Sequence, residues 1–351
     1  MSAGLLGIAA FVASYGMTFW LLHHSRVRQL IDQPNQRSSH SVPTPRGGGL
    51  SMVLVTTAAT VWLYLIGQIA APLALALVCG GLAVAAVGFW DDVRSAPILV
   101  RMLVHLSSAT LAVALLGASS TLALGPWTLN LGPLAPVVAV IGVVWVLNLF
   151  NFMDGIDGIA ASEGAFVLLA GATLGMFMRG TALAPLMLAA TAGVSCLGFL
   201  ALNWAPARIF MGDVGSGYLG YTIAVLALAS VRSGALDGWT WAILGAAFVA
   251  DASVTLIRRL FRGERVYQAH RSHAYQRLAR RLGSHAKVTA LVIAIDLVWL
   301  LPCALEAQRH PAWAPGICLF AYLPLVIGAL LCGAGTPDSH ARAITGSPGS
   351  M

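Results

Sequence analysis

The sequence predicts an all-α membrane protein, a polytopic bundle of about eleven transmembrane helices whose chemistry sits on the loops of one face. Three observations carry that prediction. Of 351 residues, 58% are hydrophobic and only 9% are charged, against roughly a quarter charged in an ordinary soluble domain. Apolar stretches of about 20 residues, the length that crosses a bilayer as a helix, recur along the chain. Lys and Arg gather in alternate loops, as retention of positive charge on the cytoplasmic side requires.

The expected spans are 3–22, 48–67, 71–90, 100–117, 134–151, 164–179, 184–203, 217–231, 239–257, 286–305 and 314–333. No basic residue precedes the first span, and Arg26 and Arg28 follow it, so it reads as a retained span and not as a cleaved signal. With the N-terminus outside and the C-terminus inside, all of the 20 Lys and Arg except Arg179, Arg232 and Arg309 fall on inward segments, Arg37 and Arg342 among them. The net charge of +7 is therefore one-sided, which argues against a nucleic-acid partner. Cys79, Cys196, Cys303, Cys318 and Cys332 lie in apolar spans without metal or redox spacing and read as packing residues. Residues 1–333 form the membrane domain. Residues 334–351, rich in Gly, Ser and Pro, read as a flexible cytoplasmic tail.

An acid in or near a bilayer is costly unless a cation, a base or water meets it. Asp91, Asp92, Asp154, Asp157 and Asp213 all fall at the inner ends of three hairpins. In GFWDDVRSAP two adjacent carboxylates follow the span ending at Trp90. Successive helical residues diverge by about 100°, which sends one toward a lipid or basic group and the other toward a nucleotide or metal; the plain alternative is a solvated helix end. In NLFNFMDGIDGIA the three-residue spacing of Asn148, Asn151, Asp154 and Asp157 predicts a slowly rotating polar ridge on a helix. Gly155 and Gly158 would admit a phosphate or a backbone. Asparagines bonding neighbouring helices are the plain alternative there. In NWAPARIFMGDVGSGYLGY, Asp213 stands in a glycine-rich loop. Asp and Asn oxygens suit Mg2+, which takes one or two protein ligands plus substrate phosphates, and N–H groups near Gly215 to Gly217 could hold an anion at the next helix start.

The basic segments are mixed. RSSHSVPTPRGGGL puts Arg46 ahead of three glycines, either as a phosphate-approach loop or as a hinge. In the long segment that holds Arg265, the cluster of His270, Arg271 and His273 could bind a pyrophosphate by charge-assisted hydrogen bonds, and no nearby Cys or Glu completes a zinc set. Tyr275, Leu278 and Leu282 have helical spacing and predict an interfacial helix used for anchorage. Asp296, in the tenth span, reads as the one acid away from this face, packed against a polar partner in preference to a transport role.

In chain order PTPRGGG, GFWDDVRSAP, NLFNFMDGIDG, RIFMGDVGSGYLG and HRSHAYQRL resemble the motifs of the polyprenyl-phosphate N-acetylhexosamine-1-phosphate transferases, glycosyltransferase family 4, of the muropeptide-transferase-like superfamily. The HRSH version resembles the O-antigen-initiating branch. The resemblance implies a multi-pass enzyme of the bacterial inner membrane. Its cytoplasmic face would move a sugar-1-phosphate from a UDP-N-acetylamino sugar to undecaprenyl phosphate, releasing UMP and initiating O-antigen or another envelope polysaccharide. It implies Mg2+ as cofactor, with Mn2+ as the alternative ion, and Asn151 and Asp213 as its ligands. It also implies Asp157 and Phe210 as uridine contacts and Asp91, Asp92 and Asp154 as active-site acids. Asp91 would deprotonate the acceptor phosphate or orient Arg101. Arg46 and Asn148 would bind substrate, and His270, Arg271 and His273 would form the pyrophosphate loop. The donor expected from the branch is UDP-N-acetylfucosamine or UDP-N-acetylquinovosamine, with UDP-N-acetylglucosamine as the alternative. Membrane lipids are further partners, and a homodimer is a further expectation. A transporter would place polar residues at mid-membrane in several spans. A CDP-lipid phosphotransferase would concentrate its acids in one helix, whereas here they are spread over three loops.

Overall fold

The computed structural model describes residues 3–24, 31–32, 42–179, 184–264 and 270–337. Arg26, Arg28, Arg37, Arg265 and Arg342, used above for orientation, lie outside these residues, as does the expected tail beyond Pro337.

Every expected apolar segment is helical. The helices are α1 (Ala3–His24), α2 (Leu50–Leu65), α3 (Ala71–Leu75), α4 (Gly81–Arg94), α5 (Ile98–Leu116), α6 (Ala135–Met153), α7 (Ile159–Arg179), α8 (Ala184–Asn203), α9 (Asp213–Arg232), α10 (Gly238–Leu244), α11 (Ala246–Phe261), α12 (Ala274–Leu282), α13 (His285–Ile295), α14 (Leu301–Arg309) and α15 (Ala314–Leu331). A π-helical turn, Ala76–Gly80, joins α3 to α4, and another, Asp296–Leu300, joins α13 to α14. Among the described residues nine helical segments are long and apolar enough to span a membrane, and a tenth is the pair α10–α11. Two expectations change in detail. The span predicted at 239–257 is broken at Gly245, where α10 and α11 meet at 76°. The span predicted at 48–67 is a helix of only 16 residues.

Burial separates the centre from the rim. In the apolar windows of α9 and α7, 83% and 78% of residues are buried, against 22% for α1 and α15. The central helix α9 packs against α4 and α6, while α1 lies along α8 and α2. Lipid tails are as apolar as leucine, so helices associate through small residues and interhelical hydrogen bonds. The seam of α1, α2 and α8 follows that rule: Ser14 donates to the Ser195 carbonyl at 2.7 Å and Thr18 to Ser51 Oγ at 2.8 Å, all four residues being buried. Each such bond is worth about 0.6–1.7 kcal/mol.

Two short antiparallel pairings complete the fold, β1 (Ile31–Asp32) with β2 (Thr44–Pro45) and β3 (Thr121–Leu124) with β4 (Trp127–Asn130). The chain just past Gly333 departs from the tail expected there. Gly335 N–H donates to the Ser272 carbonyl at 2.8 Å, Arg258 donates to the Ala334 carbonyl at 3.0 Å, and Arg277 donates to the Thr336 carbonyl. Residues 334–337 are thus fixed against α11 and α12.

Candidate active site

The C-terminal ends of α4, α6 and α8 and the N-terminal ends of α5, α7, α9 and α13 converge at one end of the bundle. Asp92, two residues from the end of α4, is 2% exposed. Its Oδ1 accepts from Asp213 N–H and its Oδ2 from Val214 N–H, both at 3.0 Å. A carboxylate from one helix therefore caps the N-terminus of another, the favourable end for a negative charge. Gly212 makes this approach achievable: its φ is +75° and a Cβ there would stand 2.6 Å from Asp92 Oδ2. Both oxygens of Asp92, expected as an active-site acid, are thus engaged within the protein, and the residue places Asp213. The anion site expected at the start of α9 is likewise filled by Asp92, while Gly215 and Ser216 N–H bond back to the Gly212 carbonyl.

Asp91 turns the other way, as the angle between adjacent helical residues predicts. It forms an ion pair with Arg101 of α5, and its Oδ1 accepts from Ala96 N–H at 2.7 Å. The Arg101 guanidinium also reaches Asp213 Oδ2 at 3.2 Å, so one cation bridges two acids from different elements. The Arg46 guanidinium donates to the Asp92 carbonyl. Its glycine-rich loop is pinned by Phe210 N–H to the Pro45 carbonyl at 2.8 Å and by Gly48 and Gly49 N–H to the Phe210 and Met211 carbonyls at 2.9 Å. The loops of Arg46 and Phe210 thus form one unit, and Phe210 is half-buried beside Asp213 in sequence.

The ridge expected over Asn148 to Asp157 divides. The helix α6 ends at Met153, so Asn148 and Asn151 are helical while Asp154 and Asp157 lie in the following turn. Asn148, Asn151, Arg101, His105 and Asp213 line a small cavity of about 20 Å³, on the scale of a single water-sized species. The Asn151 amide nitrogen donates to Ser216 Oγ at 3.1 Å, leaving its oxygen as the acceptor. Asp157 belongs to a second and larger cavity of about 540 Å³ shared with Arg271, Gln276, Arg280 and His285. Its carboxylate accepts from Ala207 N–H at 3.0 Å and faces His285 Nδ1 at 3.3 Å. Asp154 lies between the two groups in sequence, and its carboxyl is pushed up to about 7, first by burial and then by the charges of Asp92 and Asp157.

The HRSH segment separates by exposure. His270 and Arg271 are half-buried, but His273 is 3% exposed and faces Asp251 of α11. His273, expected at the pyrophosphate, thus turns into the protein against Asp251, while Arg271 lines the 540 Å³ cavity. Burial first, and then the nearby His273 and Arg259, hold His270 down to about 3, so it is neutral at ordinary pH. Tyr275 is not an anchoring residue: it is 4% exposed, and its hydroxyl donates to the Phe152 carbonyl at 3.1 Å. It lies directly over Gly155, where any side chain would run into the Tyr275 hydroxyl and the Gln276 amide.

Sequence reasoning missed Asp251 and His285. An acid inside an apolar span was the available signal for Asp251. Asp296, expected to pack against a polar partner, stands beside Glu163 of α7, and both are fully buried.

Among the described residues no three His, Cys, Asp or Glu side chains converge as a metal site. One Asp carboxylate and one Asn oxygen on a small cavity do fit Mg2+, which draws its remaining ligands from water and phosphate.

Residues 74–231 match the profile described as glycosyl transferase family 4. A Bacillus subtilis (strain 168) protein named "Probable undecaprenyl-phosphate N-acetylglucosaminyl 1-phosphate transferase" is 30% identical over 303 residues, 85% of this chain and 82% of that protein. Two phospho-N-acetylmuramoyl-pentapeptide-transferases match shorter stretches. That of Synechococcus sp. (strain JA-2-3B'a(2-13)) is 32% identical over 127 residues, 32% of this chain and 36% of its own length. That of Mycobacterium avium (strain 104) is 45% identical over 94 residues, 26% of this chain and 24% of its own length.

Proposed function

The chain belongs to the polyprenyl-phosphate N-acetylhexosamine-1-phosphate transferases of glycosyl transferase family 4, and we propose that it transfers a sugar-1-phosphate from a UDP-N-acetylamino sugar to undecaprenyl phosphate, with release of UMP. The observation that carries this reading is the convergence of Asp91, Arg101, Asn151 and Asp213 at the same end of a membrane bundle as Asp157 and the HRSH loop. A lipid headgroup and a water-soluble nucleotide can meet only at such an end.

An oxygen of the acceptor phosphate forms a bond to the β-phosphorus of the donor. The bond from that phosphorus to the oxygen bridging it to the α-phosphate breaks, and that oxygen leaves with UMP. The acceptor's second pKa is near 6, so it is largely dianionic at neutral pH and needs orientation more than deprotonation. Arg101, held by Asp91, supplies a fixed cation for it. Asn151 and Asp213 would hold Mg2+, which when bound neutralises charge on the transferring phosphoryl group. Arg271 and neutral His270 present one cation and one ring nitrogen to the diphosphate, and Asp157 with Phe210 receives the uridine. Asn148 lines the metal side, and Asp154 joins the two halves. In this reading the site faces the cytoplasm of the bacterial inner membrane, with the N-terminus outside, and the product begins an envelope polysaccharide such as O-antigen.

Purified protein incubated with undecaprenyl phosphate, Mg2+ and a panel of UDP-N-acetylfucosamine, UDP-N-acetylquinovosamine and UDP-N-acetylglucosamine tests the reading. UMP release with at least one donor is expected and identifies the sugar. Absence of UMP with all of them overturns it.

A further inference from the structure

The HRSH segment carries two groups proposed to meet the diphosphate, yet it is a loop, and loops do not hold charged groups in place unless something rigid fixes them. The fixing group is buried in the bent span. Asp251, on α11 just past the 76° break, is 7% exposed. Its Oδ1 accepts from Ala274 N–H at 2.9 Å and Thr255 Oγ1 at 3.1 Å, and its Oδ2 accepts from Tyr275 N–H at 2.9 Å. These are the first two N–H groups of α12. A carboxylate from a membrane helix thereby caps the helix that the HRSH segment leads into.

The same carboxylate faces His273 Nδ1 at 3.3 Å. A contact with a carboxylate places the imidazole proton on Nδ1 and fixes the ring's tautomer and plane. The His270 ring stacks on that fixed ring with centroids 4.8 Å apart and planes at 26°. Ser272 then ties His270 Nδ1 through its hydroxyl at 3.0 Å, and the Ser272 carbonyl is held by Gly335 N–H. The chain of contact runs from Asp251 through His273 to His270, with Arg271 between the two rings in sequence and on the wall of the 540 Å³ cavity.

We propose that Asp251 is a positioning residue for the sugar nucleotide: through His273 it sets where His270 and Arg271 stand relative to the donor diphosphate. The inference rests on the transferase reading and adds to it a residue outside the five loop motifs. It predicts an effect confined to one substrate, because Arg101 and Asp91 are held to each other, to Ala96 and to Asp213, whereas Asp251 holds His273 and the start of α12.

Steady-state kinetics on full-length protein decide the matter. Asp251→Asn keeps the size and one acceptor but loses the charge. It is expected to raise KM for the UDP-sugar about tenfold, to leave KM for undecaprenyl phosphate unchanged, and to lower kcat less. In a His273→Asn background the added Asp251→Asn change should raise that KM little further, because the linkage is already cut. Thr255→Val, which removes one bond to Asp251 and keeps the shape, should move the same KM in the same direction by a smaller factor. It decides the question if the Asp251 variant does not fold. Equal changes in both KM values, a fall in kcat alone, or additivity of the two substitutions would overturn the proposal. Wild-type protein inactive with every donor would overturn the transferase reading instead.

Discussion

Replacing Asp92 by Asn separates a residue that shapes the site from one that reacts in it. The structure gives Asp92 two charge-assisted bonds to the first N–H groups of α9. Asparagine offers one oxygen and turns its NH2 toward the other donor, so one bond worth about 1.5–3 kcal/mol is lost. The helix N-terminus also loses a negative charge worth about 0.3–2 kcal/mol. A total of about 2–5 kcal/mol should lower the melting temperature by several degrees. The first turn of α9 carries Asp213 and Ser216, and a shift of about 1 Å in such a turn can reduce turnover on the order of a hundredfold. Melting in detergent, followed by tryptophan fluorescence, and UMP release on the same preparation measure both effects. Lost turnover with an unchanged melting temperature would show that Asp92 acts on substrate directly, and the capping argument would be refuted.

Asp213→Asn should abolish turnover and weaken the dependence on added Mg2+ without lowering the melting temperature, and unchanged activity would remove Asp213 from the metal site. Arg101→Lys keeps the charge but cannot span Asp91 and Asp213 as a planar fork does, so kcat should fall about 10–100-fold; an unaffected kcat would mean the bridge is dispensable. Asp154 titrates near 7 when folded and near 3.8 when unfolded. Between those values the folded protein holds a proton that the unfolded chain has lost, so its stability falls as pH rises toward 7. Asp154→Asn removes that loss, and its stability advantage over wild type should grow from pH 5 to pH 8 by about 2–3 kcal/mol; an advantage independent of pH would contradict the assignment. Asp296→Asn, far from the site chemistry in sequence and fully buried beside Glu163, should leave UMP release intact, and loss of turnover would give that pair a role in the reaction.

The fold was legible because hydrophobic length is a strong local signal, and all eleven apolar segments are helical. The break at Gly245 was not, since apolar composition runs through it unchanged and only packing against neighbours shows the bend. The candidate acids were legible for the same kind of reason: Asp91, Asp154, Asp157 and Asp213 are exceptions in an apolar chain. Their division of labour was hidden. Asp92 and His273 look like substrate groups until their oxygens and ring nitrogen are seen to be occupied by a helix terminus and by Asp251. Three-residue spacing suggested one ridge from Asn148 to Asp157, but α6 stops at Met153 and Asp157 lines a different cavity from Asn148 and Asn151. Asp251 meets His273 across 22 residues of sequence and His285 meets Asp157 across 128, and no local pattern announces such pairings.

The central claim concerns which phosphorus moves. Donor carrying one radioactive label at the β-phosphorus and another at the α-phosphorus, incubated with undecaprenyl phosphate and purified protein, follows both at once. The account predicts the β label in the lipid extract and the α label in soluble UMP, in equal amounts. Both labels remaining in water, or release of UDP with an unlabelled lipid product, would contradict sugar-1-phosphate transfer.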